Sequence, residues 1–181
     1  MSQSKNRKFK GISGKQEPFT VFIIHGRSKE YKKVVKFINE ELGFDTRVLM
    51  DRFHGQTILQ RIRSAIWNEC DCAVAIMSAD DNIRTVKPLD SSEKKLKRYA
   101  RQNVIYEMGY CLGFFDHLYW EDVKDEIQPV VILKEKETAV PADLLGVNTL
   151  IYKKGKIETA LPTLGQALED LFEQVKEYYA Q

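Results

Sequence analysis

The sequence predicts an α/β domain: a flavodoxin-like open parallel sheet of five strands with helices on both faces. Three observations carry this. Continuous apolar, β-branched-rich runs at residues 19–24, 71–77 and 129–133 have the composition of strands buried on both faces. Segments with helical apolar spacing alternate with the strands, which implies βαβ units. A length of 181 residues suits one domain with a real core. The expected strand order is 2-1-3-4-5, with ligand-binding loops at the carboxyl ends of the strands, near the topological switch.

Each element follows from local pattern. Residues 1–18 are polar and basic, with five Lys or Arg in the first fifteen, and read as a flexible tail ahead of a domain at 19–181. After the strand at 19–24, Ser28 is placed to cap a helix reaching Leu42, with Val34, Phe37 and Ile38 inward and Gly43 as its stop. A short strand follows at 46–50, then a loop at 51–56. Thr57 caps a helix to Asn68 with Ile62, Ala65 and Ile66 inward. Beyond the strand at 71–77, Ser78 and Asp81 have capping-box spacing. Residues 82–97 are charged and contain Pro88, and read as a long exposed, mobile loop. The chain closes with a strand at 129–133, a turn at 141–146, a strand at 148–152 and an amphipathic helix at 163–179.

One helix stands apart. From Asn103 to Phe115 it carries a single charge, Glu107. Val104, Ile105, Met108, Leu112 and Phe115 form its apolar arc. The opposite arc holds Asn103, Tyr106, Tyr110 and Phe114 rather than lysines, which predicts a helix covered on most sides. Gly109 and Gly113 leave a groove for close backbone approach. A carboxylate among aromatics and the Cys111 thiol is either paired with a cation such as Arg101, favoured by the helix dipole, or kept for chemistry.

Composition excludes some classes. The net charge of +2, from 28 basic and 26 acidic residues, does not point to nucleic acid. No apolar run reaches membrane-spanning length. The basic N-terminus lacks the apolar stretch of a secretory signal, and three cysteines without zinc spacing fit free thiols in a reducing cytoplasm. No metal triad, P-loop or nucleophile-elbow signature occurs. The turn His25-Gly26-Arg27-Ser28, between strand and helix, suits an anion: Gly26 permits close approach and Arg27 can clasp a phosphate. Asp80 can hydrogen-bond a ribose or hold a cation, whereas Asp81 fits the capping role better.

Taken together, Phe22-Ile-Ile-His-Gly-Arg27, Gly55-Gln-Thr-Ile58, Ala75-Ile-Met-Ser-Ala-Asp-Asp81, Ala100-Arg-Gln-Asn-Val-Ile-Tyr-Glu-Met-Gly-Tyr110 and Pro141-Ala-Asp-Leu-Leu-Gly146 resemble the bacterial TIR-like, nucleotide-binding domain family of cyclic-nucleotide-triggered anti-phage effectors. The resemblance covers residues 19–152. It departs where Arg27 replaces a second His, and where Ser78-Ala79 replaces Thr-Pro. It implies an NAD+ glycohydrolase with Glu107 as catalytic glutamate and NAD+ as substrate, without a resident cofactor or metal. Nicotinamide and linear or cyclic ADP-ribose would be the products. Stacking falls to Phe53, Tyr106 and Tyr110, pyrophosphate contacts to Arg27 or Arg101, and the remaining contacts to His25, Gly26, Gly55, Asp80 and Asn103. Self-association, and a sensor elsewhere, are implied as partners. Two alternatives stand beside it: a catalytically silent interaction module, and a nucleoside deoxyribosyltransferase-like enzyme with a Glu nucleophile.

Overall fold

The computed structural model describes residues 8–10, 16–49, 57–84, 96–120, 127–141, 144 and 147–180. Two short strands, β1 (Lys8–Lys10) and β2 (Gln16–Pro18), pair antiparallel within the span read as a tail. The central sheet is formed by β3 (Thr20–His25), β4 (Asp45–Val48), β5 (Cys72–Met77), β8 (Val130–Glu135) and β10 (Asn148–Tyr152). Its order is β10-β8-β5-β3-β4 and every pairing is parallel, so the flavodoxin-like expectation of 2-1-3-4-5 holds. Central β5 is buried at every position, which is why it reads as an unbroken apolar run rather than an alternating one.

The helices follow from their punctuation. α1 (Tyr31–Phe37) runs on as a π-helical turn, Ile38–Leu42, and stops at Gly43, whose φ of 72° favours glycine. It starts later than the Ser28 cap predicts. Glu30 takes the capping position, and the Ser28 hydroxyl accepts from Glu30 N–H at 3.3 Å instead. α2 (Ile58–Glu69) has the predicted start. Thr57 Oγ1 accepts from Gln60 N–H at 3.2 Å, and Gln60 Oε1 accepts from Thr57 N–H at 2.8 Å, a reciprocal cap that stabilises by about 1 kcal/mol. α3 (Gln102–Trp120) is the helix of Glu107, and α4 (Leu161–Tyr178) closes the chain after a short turn, Ile157–Ala160.

Two expectations are corrected. The Ser78–Asp81 capping box does not form, because Asp81 opens a strand, β6 (Asp81–Arg84). The span 82–97 is not loop throughout. β6 pairs antiparallel with β7 (Leu96–Tyr99), and β9 (Thr138–Ala139) adds to β7 in parallel. These polar segments take their backbone partners from 12 or more residues away, which local composition does not reveal. Residues 85–95 lie outside the described ones.

The chain moves from β3 to β4 in one direction and returns across β3 to β5 and β8. Right-handed crossovers therefore place α1 on one face of the sheet and α2 and α3 on the other. Trp67 of α2 meets Phe114 of α3 with ring centroids 5.7 Å apart. α4 joins the α1 layer, where Phe172 packs on Phe19 and Phe44 at 5.4 and 5.3 Å. Phe19, Phe22, Ile23, Ile24, Ile62 and Ile66 are fully enclosed, each contributing about 1.5–3 kcal/mol of burial. Cys70, Cys72 and Cys111 are all buried thiols. Burial pushes each thiol well up, with Asp71 adding to the effect on Cys70 and Cys72. Among the described residues no helix is long and apolar enough to cross a membrane.

Candidate functional site

The carboxyl edge of the sheet gathers the first loop and the loop after β5. Gly26 lets the two touch: a Cβ on Gly26 would fall onto Asp80 Oδ2 and lie 3.0 Å from Asp80 Cγ. The same Oδ2 accepts from Arg27 N–H at 2.8 Å. The Arg27 guanidinium, largely exposed, lies 3.8 Å from Asp81 Oδ1. The backbone donor and the guanidinium expected to meet a pyrophosphate are thus engaged by two neighbouring carboxylates in this form. His25 stacks flat on Tyr31 of α1 at 3.7 Å, and its Nδ1 is 2.8 Å from the Gly26 carbonyl. These contacts fix the turn from both sides.

α3 approaches the edge through the hairpin. Asp81 is the register partner of Tyr99, so the chain returns from Asp80 to the start of α3 within one strand pair. The Arg101 carbonyl accepts from Val104 and Ile105 N–H, closing the first helical turn. Glu107 sits in the second turn, half-buried. Its charge, after burial itself, raises the Cys111 thiol one turn on. Arg101 is half-buried, Asn103 exposed and Tyr106 54% exposed, while Tyr110 packs partly against the core.

Of the predicted inward arc of α3, Val104, Met108 and Phe115 are buried, Ile105 and Leu112 are only partly so, and Cys111 and Tyr119 join the buried side. The expectation of cover on most sides is corrected. Asn103, Tyr106, Gly109 and Gly113 face outward, and a Cβ on either glycine would meet nothing within 4 Å. No backbone among the described residues uses that groove.

His25, Gly26, Arg27 and Asp80 are therefore brought into one contact set. Arg101, just ahead of α3, and Asn103, Tyr106, Glu107 and Tyr110 in its first three turns lie on the α2/α3 side. Phe53 and Gly55 lie outside the described residues. A groove of about 370 Å³ between β10 and α4, lined in part by Gln128, Asn148 and Thr163, holds none of them.

Sequence reasoning missed a second group. Ser78, Glu135, Thr138 and Tyr152 are all at most 3% exposed. Glu135 and Tyr152 are register partners on adjacent strands. Glu135 Oε2 accepts from Ala79 N–H at 3.4 Å, whereas Oε1, Ser78 Oγ, Thr138 Oγ1 and Tyr152 Oη have no hydrogen-bond partner among the described residues. Burial first, then the carboxylates of Glu30, Glu135 and Asp80, push the Tyr152 phenol well up and keep it protonated. A Lys-Glu pair ending a strand reads as solvated, so only the β8–β10 register exposes this cluster.

The parallel sheet, its crossovers and this loop-built edge define a TIR-like α/β domain. The chain belongs to the TIR-domain family of CAP12/Pycsar effector proteins, whose family model matches residues 20–154. Protein tirC of Dictyostelium discoideum is 34% identical over 147 residues, covering 77% of this chain and 67% of that protein. The uncharacterized protein YuaY of Escherichia coli (strain K12) is 29% identical over 129 residues, 70% of this chain and 38% of YuaY. The Pycsar effector protein PaPycTIR of Pseudomonas aeruginosa is 29% identical over 99 residues, 53% of this chain and 26% of that effector. The chain thus spans between 26% and 67% of the length of these relatives.

Proposed function

We propose that this domain is an NAD+ glycohydrolase of a Pycsar-type defence effector, cleaving the nicotinamide–ribose bond with Glu107 as the catalytic carboxylate. The observation that carries the reading is the setting of Glu107: a half-buried acid in the second turn of α3, on a helix whose start follows the hairpin leaving Asp80. Departure of nicotinamide leaves an oxocarbenium-like centre on the ribose, as in glycoside hydrolysis. A carboxylate held in a partly dry site stabilises that cation more than it does in water. Nicotinamide leaves as a neutral base, so no strong general acid is needed. Tyr106 and Tyr110 offer ring faces for stacking, and Arg101 a positive charge for the pyrophosphate. The carboxylates beside Arg27 favour ribose hydroxyls over phosphate at the first loop, because they accept hydrogen bonds and repel anions.

A silent interaction module is the second reading, and it draws on exposed aromatics: Tyr106 is 54% exposed on the helix that carries the open Gly109 and Gly113, and Trp67, which packs on Phe114 of that helix, is 58% exposed. Nicotinamide release from NAD+ by the purified chain, free and artificially clustered, separates the two. Release that depends on Glu107 supports the glycohydrolase. Absence of release under both conditions leaves the module reading in its place.

A further inference from the structure

We propose that Glu135 is a positioning residue for the nucleotide site: its buried carboxylate, in register with Tyr152 and next to Ser78, holds the loop that carries Asp80. The inference rests on the reading of the carboxyl edge as the NAD+ site. Its geometry is a relay across three strands. Tyr152 and Glu135 are register partners, and carrying the β5–β8 register one residue past Met77 and Lys134 sets Ser78 beside Glu135. His25 partners Ile76, two residues before Ser78, and stacks on Tyr31, so this row of side chains lies in the α1 layer. Glu107 belongs to the opposite layer. The two layers meet at the edge through the Asp80 turn.

Glu135 Oε2 accepts from Ala79 N–H, Asp80 N–H donates to the Ser78 carbonyl at 2.8 Å, and Asp80 Oδ2 accepts from Arg27 N–H. Glu135 therefore pins the turn, and the turn presents Asp80 to the first loop. Enclosing a carboxylate is costly, and an apolar residue of the same size would pack at less cost if stability alone were served. Glu135 Oε1 and the hydroxyls of Ser78, Thr138 and Tyr152 are buried without a hydrogen-bond partner among the described residues, which is the signature of a site filled by ordered water or a donor from outside. Ordered water can bridge the unpartnered hydroxyls to Glu135 Oε1, and the Tyr152 phenol, protonated across the neutral range, is a donor to such a bridge. Such a network fixes loop height better than a single long bond.

The test uses Glu135→Met, which keeps volume and removes both acceptors, and Glu135→Gln, which keeps one acceptor. Amide hydrogen exchange is read at Ala79 and Arg27, and nicotinamide release is measured against NAD+ concentration. The Met variant should exchange about tenfold faster at both amides and raise KM by about tenfold with a smaller change in kcat, the scale of one buried hydrogen bond. The Gln variant should keep wild-type protection. Wild-type exchange at Arg27 in the Met variant, or a Gln variant as fast as the Met one, overturns the proposal. If the Met variant does not fold, Glu135→Asp withdraws the carboxylate by one methylene; faster exchange at both amides supports the relay, and unchanged exchange overturns it. Exchange is measured without NAD+, so it decides the role of Glu135 even where wild type releases no nicotinamide. That second result would count against the glycohydrolase reading instead.

Discussion

α3 and α4 are the two longest helices described, at 19 and 18 residues, and they spend their surfaces differently. α4 is amphipathic in the ordinary way. Leu164, Leu168, Leu171 and Val175 are buried on one stripe, while Gln166 donates to Asp170 and Lys176 pairs with Glu173 on the other. α3 buries Val104, Met108, Cys111 and Phe115, but its outward face offers Tyr106, two glycines and no lysine. Gly165 of α4 is packed tight, with Phe37 Cζ 3.1 Å from where a Cβ would stand, whereas Gly109 of α3 looks onto open space. One helix is a wall. The other presents a surface whose composition costs solubility and does not contribute to the core.

The sharpest way to break the contrast is to exchange function for stability at one position in each helix. Glu107→Gln should lower nicotinamide release by about 10²–10³-fold, the loss seen when a group stabilising transition-state charge is removed. Its melting temperature should stay near wild type, because the residue removed is a half-buried charge rather than core. Leu168→Ala should do the reverse: about 2–5 kcal/mol of stability lost on denaturant titration, with release per folded molecule unchanged. A Glu107→Gln protein that melts early yet cleaves NAD+ would make α3 a second wall and would falsify the catalytic assignment.

A smaller effect sharpens the same comparison. Gly109→Ala should stabilise by about 0.5–1 kcal/mol, since alanine costs less backbone entropy in a helix and its methyl meets nothing. Gly165→Ala should gain less, or lose, because the Phe37 ring must shift to admit it. Equal gains at both sites in thermal melts would show that the two glycines sit in equivalent surroundings.

The smallest effect lies on the α1 side. Lys33 Nζ donates to Glu158 Oε1, a bond that raises the Lys33 ammonium pKa and lowers that of the Glu158 carboxyl. A depressed carboxyl contributes stability above its unfolded pKa and loses it as pH falls through the folded one. A raised ammonium contributes below its unfolded pKa and loses it as pH rises through its folded value. The pair therefore acts across the neutral range and fades at both ends. Both side chains are solvated, so Glu158→Gln should flatten only a slight pH dependence of melting, and added salt should erase what remains. A variant with a large acid-side loss would show the pair to be more than a surface contact.

Legibility in the sequence followed burial. β3, β5 and β8 were readable because strands covered on both faces must be apolar throughout, and the cap at Thr57 and stop at Gly43 carry their own chemistry. β6 and β7 were not, because Asp-Asn-Ile-Arg and Leu-Lys-Arg-Tyr take their partners across a distant pairing. Ser78 and Asp81 show the limit of local rules: the spacing permits a helix cap, yet the β6–β7 ladder and the Arg27 contact claim Asp81 first. At the site, His25, Gly26, Arg27 and Asp80 were nameable because a glycine turn after a buried strand has few uses. Glu135 was invisible, since a charged residue beyond the last apolar position reads as solvent-facing until register places it under a loop.

The burial of every thiol has a practical consequence. The chain's three cysteines are all enclosed and held protonated, so alkylating and disulfide-forming reagents should leave the folded protein untouched and mark only opened molecules. The native sequence is then already a blank background for thiol labelling. A single cysteine introduced on the outer face of α3, at Tyr106 or Gly113, would be the one fast-reacting sulfur in the folded chain, and a spectroscopic tag there would report whether that face is covered when copies of the chain are brought together.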